Sequence, residues 1–280
     1  PVYVIDDCSD EPARTALQGL DDPENRIAVI RLDTNQGKGG AVVRGLRAAA
    51  DKDFTHVLQV DADGQHDLSV LPDLLSLAKN HPRSLISGRP VYDESISIGR
   101  KFGRWITHFW VWIESLSFRI ADTMCGFRVY PLAATLEVLD QERVGRRMDF
   151  DIGIMVHLFW RGVEIIPMPV RVTYPLENIS NFDILKDNWL ITRMHASLVV
   201  TMLCRLPRIL RNRPAYSGPS THWSALAERG AVWGLRLSAF AHRIFGRTGC
   251  LIFLAPVVLY FLVTGSEQRR GSRSFLKRAL

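Results

Sequence analysis

The stretch Leu58-Gln59-Val60-Asp61-Ala62-Asp63-Gly64-Gln65-His66 places two carboxylates one residue apart, directly after an apolar run. In extended backbone, residues i and i+2 point to the same side, so Asp61 and Asp63 can approach one cation together. Carboxylate oxygens suit the hard ions Mg²⁺ and Mn²⁺. Such an ion would bridge a pyrophosphate and neutralise charge on a departing diphosphate. The same residues also make an ordinary acidic turn, since Asp-x-Asp-Gly is good turn chemistry. The later ligand positions and the closing Glu of an EF-hand loop are missing.

Two further clusters carry polar chemistry. Asp6-Asp7-Cys8-Ser9-Asp10 offers acceptors for a base or ribose, and Ser9 or Asp10 could equally cap a helix. Asn35-Gln36-Gly37-Lys38-Gly39-Gly40 opens a helix with glycines and a Lys, where backbone N–H groups favour anions; a glycine turn for close helix packing would read the same way. It lacks the spacing of a P-loop. The eight histidines show no ligand spacing, and His66, His157 and His195 read as polar structural residues.

These clusters need a scaffold, and the chain supplies one. Short apolar runs at Val2–Ile5, Ile27–Leu32, His56–Val60 and Ser84–Ser87 alternate with helical patterns at Glu11–Leu20, Gly39–Ala50 and Leu68–Asn80. That alternation predicts an α/β sheet, mostly parallel, with ligands at the carboxyl ends of its strands. The polar clusters follow those ends. Downstream, residues 100–120 read as an aromatic-rich helix, Gly126–Tyr130 as a strand, Phe150–Trp160 as a helix and Val163–Val172 as a β segment interrupted by Pro167 and Pro169. Asn181–Arg211 reads as one long helical stretch. The stripe from Trp105 to Trp112 reads as core ahead of a ligand platform, or as an interfacial face if the protein meets a membrane.

Composition sets the outer bounds. With 280 residues, 47% hydrophobic and 23% charged, the chain is neither disordered nor a disulfide scaffold. Ten Lys and Arg against two Asp and Glu lie from Arg213 onward, so that part carries +8 and the first 212 residues −2. A basic C-terminal part points to an anionic surface. The surplus is helical and apolar-flanked, which favours lipid over nucleic acid. Cys8, Cys125, Cys204 and Cys250 are far apart and read as reduced thiols. The longest apolar run, Leu251–Val263, is 13 residues with Pro256 inside it, short of the roughly 20 a spanning helix needs. No initiator Met or signal peptide is present, and the chain reads as a fragment.

Taken in order, the three clusters resemble family 2 glycosyltransferases of the GT-A fold. The likeness continues through Ser87-Gly88-Arg89, Gly99-Arg100-Lys101, Asp122-Thr123-Met124-Cys125-Gly126-Phe127-Arg128-Val129-Tyr130, Phe150-Asp151 and Gly162 to Val170. It is similar to the dolichyl/polyprenyl-phosphate sugar synthase branch over about residues 1–175. Ser180-Asn181-Phe182, Asp187-Asn188-Trp189 and His195 resemble bacterial family 2 enzymes found with lipid acyltransferases. The chain starts at what would be that family's second strand. His222-Trp223-Ser224, Glu228-Arg229-Gly230 and Pro256–Phe261 resemble the opening of a lipid A biosynthesis acyltransferase, without its His-x-x-x-x-Asp.

The resemblance implies roles. Asp6 and Asp7 would hold base and ribose, with Lys38 near the nucleotide. Asp61 would contact nucleotide-sugar or metal, Asp63 would be the main metal ligand, and Gln65 would also face the metal. Arg89 and Arg100 would hold diphosphate or an acceptor phosphate by bidentate bonds, or be solvated surface residues. Asp122 and Asp151 are candidates for orienting the acceptor or acting as general base. A hydroxyl acceptor needs a base within reach, and Asp151 would then serve; a phosphate acceptor needs none. Asp151 at a helix N-terminus could instead simply meet the helix dipole. Arg128 pairs with Asp122 in this reading.

The expected architecture is therefore a GT-A nucleotide-sugar-binding mixed sheet flanked by helices, missing its first strand. It spans residues 1–212, followed by a linker at 213–221 and an incomplete acyltransferase-like segment at 222–280. The expected activity is Mg²⁺- or Mn²⁺-dependent sugar transfer from a nucleoside-diphosphate sugar to a lipid or lipid-phosphate acceptor. It would act as a peripheral protein at the cytosolic face of an anionic membrane, with no nucleic-acid partner. The alternative is a non-catalytic membrane adaptor or remnant using the basic C-terminal helices.

Overall fold

A computed structural model describes residues 1–92, 98–173 and 183–214 and position 246. The chain falls into two compact units, Pro1–Ala215 and Tyr216–Leu280. The acyltransferase-like motifs, the helix expected at Leu226–Phe245, the Leu251–Val263 run and Ser180–Phe182 lie outside the described residues.

The first unit is α/β, with mixed sheets flanked by helices. Its order is β1 (Val2–Asp6), α1 (Ala13–Gln18), β2 (Ile27–Arg31), α2 (Lys38–Ala50) and β3 (His56–Gln59). A 3₁₀ turn over Leu68–Val70 leads into α3 (Leu71–Asn80) and β4 (Leu85–Tyr92). Then come α4 (Ile98–Ser115), β5 (Arg128–Pro131), α5 (Leu132–Gln141), α6 (Phe150–Trp160), β6 (Ile165–Val172), α7 (Ile184–Cys204) and α8 (Leu206–Arg211). β1 and β2 pair in parallel as one small sheet. The other four strands form a second sheet in the order β3-β5-β4-β6. β5 runs antiparallel to both neighbours, and β4 runs parallel to β6 from Leu85↔Ile165 to Tyr92↔Val172.

The core explains which elements are fixed. α6 is buried along its whole length, which is why its sequence is apolar all round and not striped. Leu85, Phe150, Ile152, Ile154, Met155 and Leu158 are buried in one cluster with Leu46 of α2 and Leu198 of α7. Each large apolar side chain buried this way contributes about 1.5–3 kcal/mol. A second cluster packs Leu74 and Ala78 of α3 on Ile86, Val129 and Val170 of the larger sheet and on Phe127 just before β5. Pro167 and Pro169 are accommodated within β6 because β6 is the edge strand, where missing N–H groups need no ladder partner.

Several expectations change in detail. Ser9 and Asp10 do not cap α1 with a side chain; Pro12 holds the N-cap position without a side-chain bond. Glu11 instead accepts from the N–H and hydroxyl of Thr15, at 3.2 and 2.7 Å. The stretch from 181 divides into α7 and α8 at Arg205, followed by Pro207 in the first turn of α8, where proline is tolerated. The α4 stripe is not core: Trp105 and Phe109 are 56% and 44% exposed, while Thr107, Val111 and Glu114 of α4 are buried. No helix among the described residues is long and apolar enough to cross a membrane.

Candidate functional site

The polar clusters converge on one cavity of about 2070 Å³ within the first unit. Its walls come from β1, α2, β3 and the Asp61–Gln65 loop on one side, and from α4 and α7 on the other. Asp6, Asp7, Lys38, Asp61, Asp63 and Gln65 all line it.

The loop after β2 is shaped by Asp7. Its carboxylate accepts from the N–H groups of Gln36 and Gly37 at 2.7 and 2.8 Å. Gly37 sits at φ 83°, a region L side chains avoid, and this turn releases Lys38 as the first residue of α2. Asp6 is buried and held by Arg31 and by the Ser9 N–H at 2.8 Å. Burial works to raise its pKa, but the bonds from Ser9 and Arg31 outweigh it and leave the pKa below the ordinary carboxylate value.

Lys38 is the hub. Its ammonium lies 2.7 Å from Asp61 Oδ2 and 2.8 Å from Asp151 Oδ2. Burial alone would lower the Lys38 pKa; the charges of Asp151 and Asp61 outweigh it and raise it. Burial likewise pushes Asp61 up, and Lys38 brings it below the ordinary range. Behind Asp61 runs a chain of donors. Arg128 donates to Tyr130 Oη at 3.3 Å, Tyr130 to Gln59 Oε1 at 3.1 Å, and Gln59 Nε2 to Asp61 Oδ1 at 3.4 Å. Gly126 makes room for this carboxylate: a Cβ there would lie 2.2 Å from Asp61 Oδ2.

Asp63 is exposed at the cavity rim, its Oδ1 accepting from the Gln65 N–H at 3.1 Å. The loop is anchored beyond it: the Gln65 carbonyl accepts from Thr173 N–H at 3.0 Å, and Asp67 N–H reaches the Arg171 carbonyl at 3.2 Å. Among the described residues no group of three His, Cys, Asp or Glu is placed to hold a metal ion. The oxygens of Asp61, Asp63 and Gln65 are nonetheless of the hard type that suits Mg²⁺ or Mn²⁺, although both oxygens of Asp61 are engaged here, by Lys38 and Gln59.

The other expected residues are placed differently. Asp151 is buried at the start of α6, between Lys38 and Arg128. Arg128 does not pair with Asp122. It is 0% exposed and donates to the carbonyls of Thr123, Cys125 and Asp151 at 2.7, 2.8 and 2.8 Å, tying the 122–127 segment to α6. Asp122 is held by Arg104 at 2.5 Å and by the N–H groups of Met124 and Cys125 at 2.9 and 2.8 Å. Burial opposes its ionisation, but His108 and Arg104 outweigh that and bring its pKa down to about 2. Arg89 is exposed on β4 and does not line the cavity. The side chain of Arg100, on α4, lies outside the described part. Gln59, Arg104 and Gly126 were not singled out in sequence as site residues. The Asp-x-x-x-Gly spacing from Asp122 to Gly126 was the signal for the last.

Residues 2–135 match the family model described as glycosyl transferase family 2. Over 164 residues the chain is 27% identical to a dolichyl-phosphate beta-glucosyltransferase of Dictyostelium discoideum, covering 55% of this chain and 49% of that protein. Over 174 residues it is 25% identical to an undecaprenyl-phosphate mannosyltransferase of Micrococcus luteus, covering 60% of this chain and 70% of that protein. The chain thus spans about half the length of the dolichyl-phosphate relative. Among solved structures it aligns with S. aureus TarS in complex with UDP-GlcNAc at a TM-score of 0.49 and 14% identity, over 75% of this chain and 70% of that one.

Proposed function

We propose that this chain transfers a sugar from a nucleoside-diphosphate sugar to a lipid-linked phosphate acceptor. The observation that carries the reading is the convergence of Asp7, Lys38, Asp61, Asp63 and Gln65, from three separate strand ends, on one cavity within the region matched by the family model. The acceptor class is suggested by relatives named for dolichyl phosphate and undecaprenyl phosphate.

In this reading Asp6 and Asp7 form the wall that receives base and ribose, each held in place by the bonds described above. Lys38 offers a buried positive charge to the diphosphate and keeps Asp61 oriented. Asp61 and Asp63, with Gln65 beside them, would hold the Mg²⁺ or Mn²⁺ ion, which when bound neutralises charge on the leaving diphosphate. A preorganised charge of this kind needs no reorganisation during reaction. An acceptor phosphate is already an anion, so no general base is required, and Asp151 serves to hold Lys38. Arg89, outside the cavity, and Arg100 remain candidates for the acceptor phosphate. The basic C-terminal part would keep the protein at an anionic, cytosolic membrane face, each Lys or Arg near the surface contributing about 1 kcal/mol. Residues 222–280 would open an acyltransferase-like segment.

The test is Asp63→Ala in the full chain, assayed for metal-dependent sugar transfer. The expected loss is about 10²–10³ in kcat with an unchanged thermal melt. A variant with full metal-dependent turnover defeats the assignment. A wild-type chain with no Mn²⁺-dependent affinity for UDP or GDP by calorimetry points to the adaptor instead.

A further inference from the structure

The cavity continues past the polar cluster, between two strand edges. Every residue from Pro1 to Asp7 lines it, and so does every residue from His56 to Asp63. Successive side chains of a strand point to opposite faces, so a cavity beneath one face would meet every second residue. One that meets them all runs along the edge. No residue of β2 or β5 lines it, so the edges are those that β1 turns away from β2 and β3 turns away from β5. β1 pairs with β2 alone, and β3 with β5 alone.

The ladder bonds identify the backbone groups that face this slot. The Val2 N–H donates to the Arg26 carbonyl, and the Asp6 carbonyl accepts from the Leu32 N–H, both at 2.8 Å. In a parallel pair alternate residues bond the same neighbour. Val2, Val4 and Asp6 therefore serve β2, and Tyr3 and Ile5 turn N–H and C=O toward the slot. The Leu132 N–H donates to the Thr55 carbonyl at 2.9 Å. With the register Val57↔Tyr130, this commits Thr55, Val57 and Gln59 to β5 and leaves His56 and Leu58 facing the slot. Pro131, which has no N–H, stands opposite His56, in keeping with that phase. Both strands end at Lys38: Asp7 beyond β1 holds the Gly37 N–H, and Asp61 beyond β3 meets the Lys38 ammonium. The two edges thus run in the same direction.

Two facing rows of N–H and C=O groups are matched by extended backbone, which carries both on each side. The slot is also apolar toward both faces of the sheet. Val57 packs into the core with α2, and Leu58 into the cluster with α3. Val2, Phe54, Val60, Leu68 and Leu75 line the same cavity and are exposed. A parallel strand covered on both faces reads as a near-continuous run of Val, Ile and Leu. We propose that the slot takes such a strand, about five residues long like β1, from polypeptide joined ahead of Pro1. It lies parallel to β1 and β3 and unites the two sheets. Parallel neighbours are linked by a crossover of about a dozen residues or more, and Pro1 lines the slot at the end away from Lys38, where that crossover delivers the chain into β1. The carboxyl end of the added strand emerges between Asp6 and Asp61, so the residues after it complete the donor side of the site. That last consequence rests on the glycosyl-transfer reading.

The experiment compares the 280-residue chain with the longer chain carrying the residues encoded ahead of Pro1, by amide hydrogen exchange resolved at single residues. The upstream sequence should hold a Val/Ile/Leu-rich run of about five residues, about a dozen or more before Pro1; the lack of one overturns the proposal. In the 280-residue chain Tyr3, Ile5, His56 and Leu58 should exchange faster than Val4 and Val57, and in the longer chain they should slow by about a hundredfold. Equal exchange in the two chains overturns the proposal. So does protection in the 280-residue chain that rises with its concentration, which would give the slot to a second copy. Should the shorter chain fail to fold, cross-linking in the longer one decides. Leu58→Cys, combined with a cysteine at the centre of the upstream run, should form a disulfide under mild oxidation, since neighbouring strands stand within its reach; no cross-link overturns the proposal. Mn²⁺–UDP or Mn²⁺–GDP affinity should be about tenfold tighter in the longer chain. Protection of the four amides without nucleotide binding would defeat the glycosyl-transfer reading and leave the strand standing.

Discussion

The two walls of the cavity handle buried charge in opposite ways. On the strand side, Lys38 lies between Asp61 and Asp151, and Asp61 also receives a donor chain from Arg128 through Tyr130 and Gln59. On the helix side, Glu114 and His195 hold each other, while Glu114 Oε2 and His195 Nε2 are buried without a hydrogen-bond partner among the described residues. The first arrangement spreads each charge over several partners, whereas the second rests on one bond, so loss of either member leaves the other buried and unpaired.

The largest test of that contrast is Lys38→Ala. It leaves Asp61 without its cation and Asp151 with Arg128 alone, and breaking a buried pair costs about 3–5 kcal/mol, readable by urea denaturation at neutral pH. The pH window follows from the shifts. Lys38 has a raised pKa, so its contribution is complete below the unfolded value of 10.5 and is lost as pH climbs through the folded value. Asp61 has a lowered pKa, so its share is present above 3.8 and is lost as pH falls through the folded value. The variant's deficit should therefore be widest between those limits.

Gly126→Ala comes next. The new Cβ would stand 2.2 Å from Asp61 Oδ2, so the carboxylate or the loop must shift, at about 1–3 kcal/mol. The variant should lose Mn²⁺-dependent nucleotide affinity in calorimetry. Unchanged affinity would show that the Asp61 carboxylate plays no part in holding the nucleotide.

Asp122→Asn addresses the joint between them, since Asp122 ties Arg104 of α4 to the loop that carries Gly126. Losing a charge-assisted network of this sort costs about 1.5–3 kcal/mol. In wild type the stabilisation is present above 3.8 and fades as pH falls toward about 2; the variant's acid unfolding curve should lack that component. The smallest effect is expected from Trp105→Ser on the outer face of α4, which is 56% exposed. Its thermal stability should stay within about 0.5 kcal/mol of wild type.

Much of this was legible in the linear chain. The alternation of apolar runs and helical patterns marked the strands and α2, α3 and α6, because side-chain period follows backbone geometry. The polar clusters after β1, β2 and β3 were visible as clusters, since each is local in sequence. α5 left no reading because its apolar positions run on directly from β5. The α4 stripe was misread for the same kind of reason: aromatic spacing says that a face is apolar, and only packing says which face is covered.

Residue type and order thus determined which elements form, which loops carry carboxylates and that Lys38 opens a helix. Tertiary structure decided the partners: that Lys38 meets Asp151 across more than a hundred residues, that Arg128 grips carbonyls and not Asp122, and that Glu114 finds His195. Local backbone geometry is written in neighbouring residues, but a buried charge is satisfied by whatever the fold brings within about 3 Å of it, and that distance is not encoded at any one position.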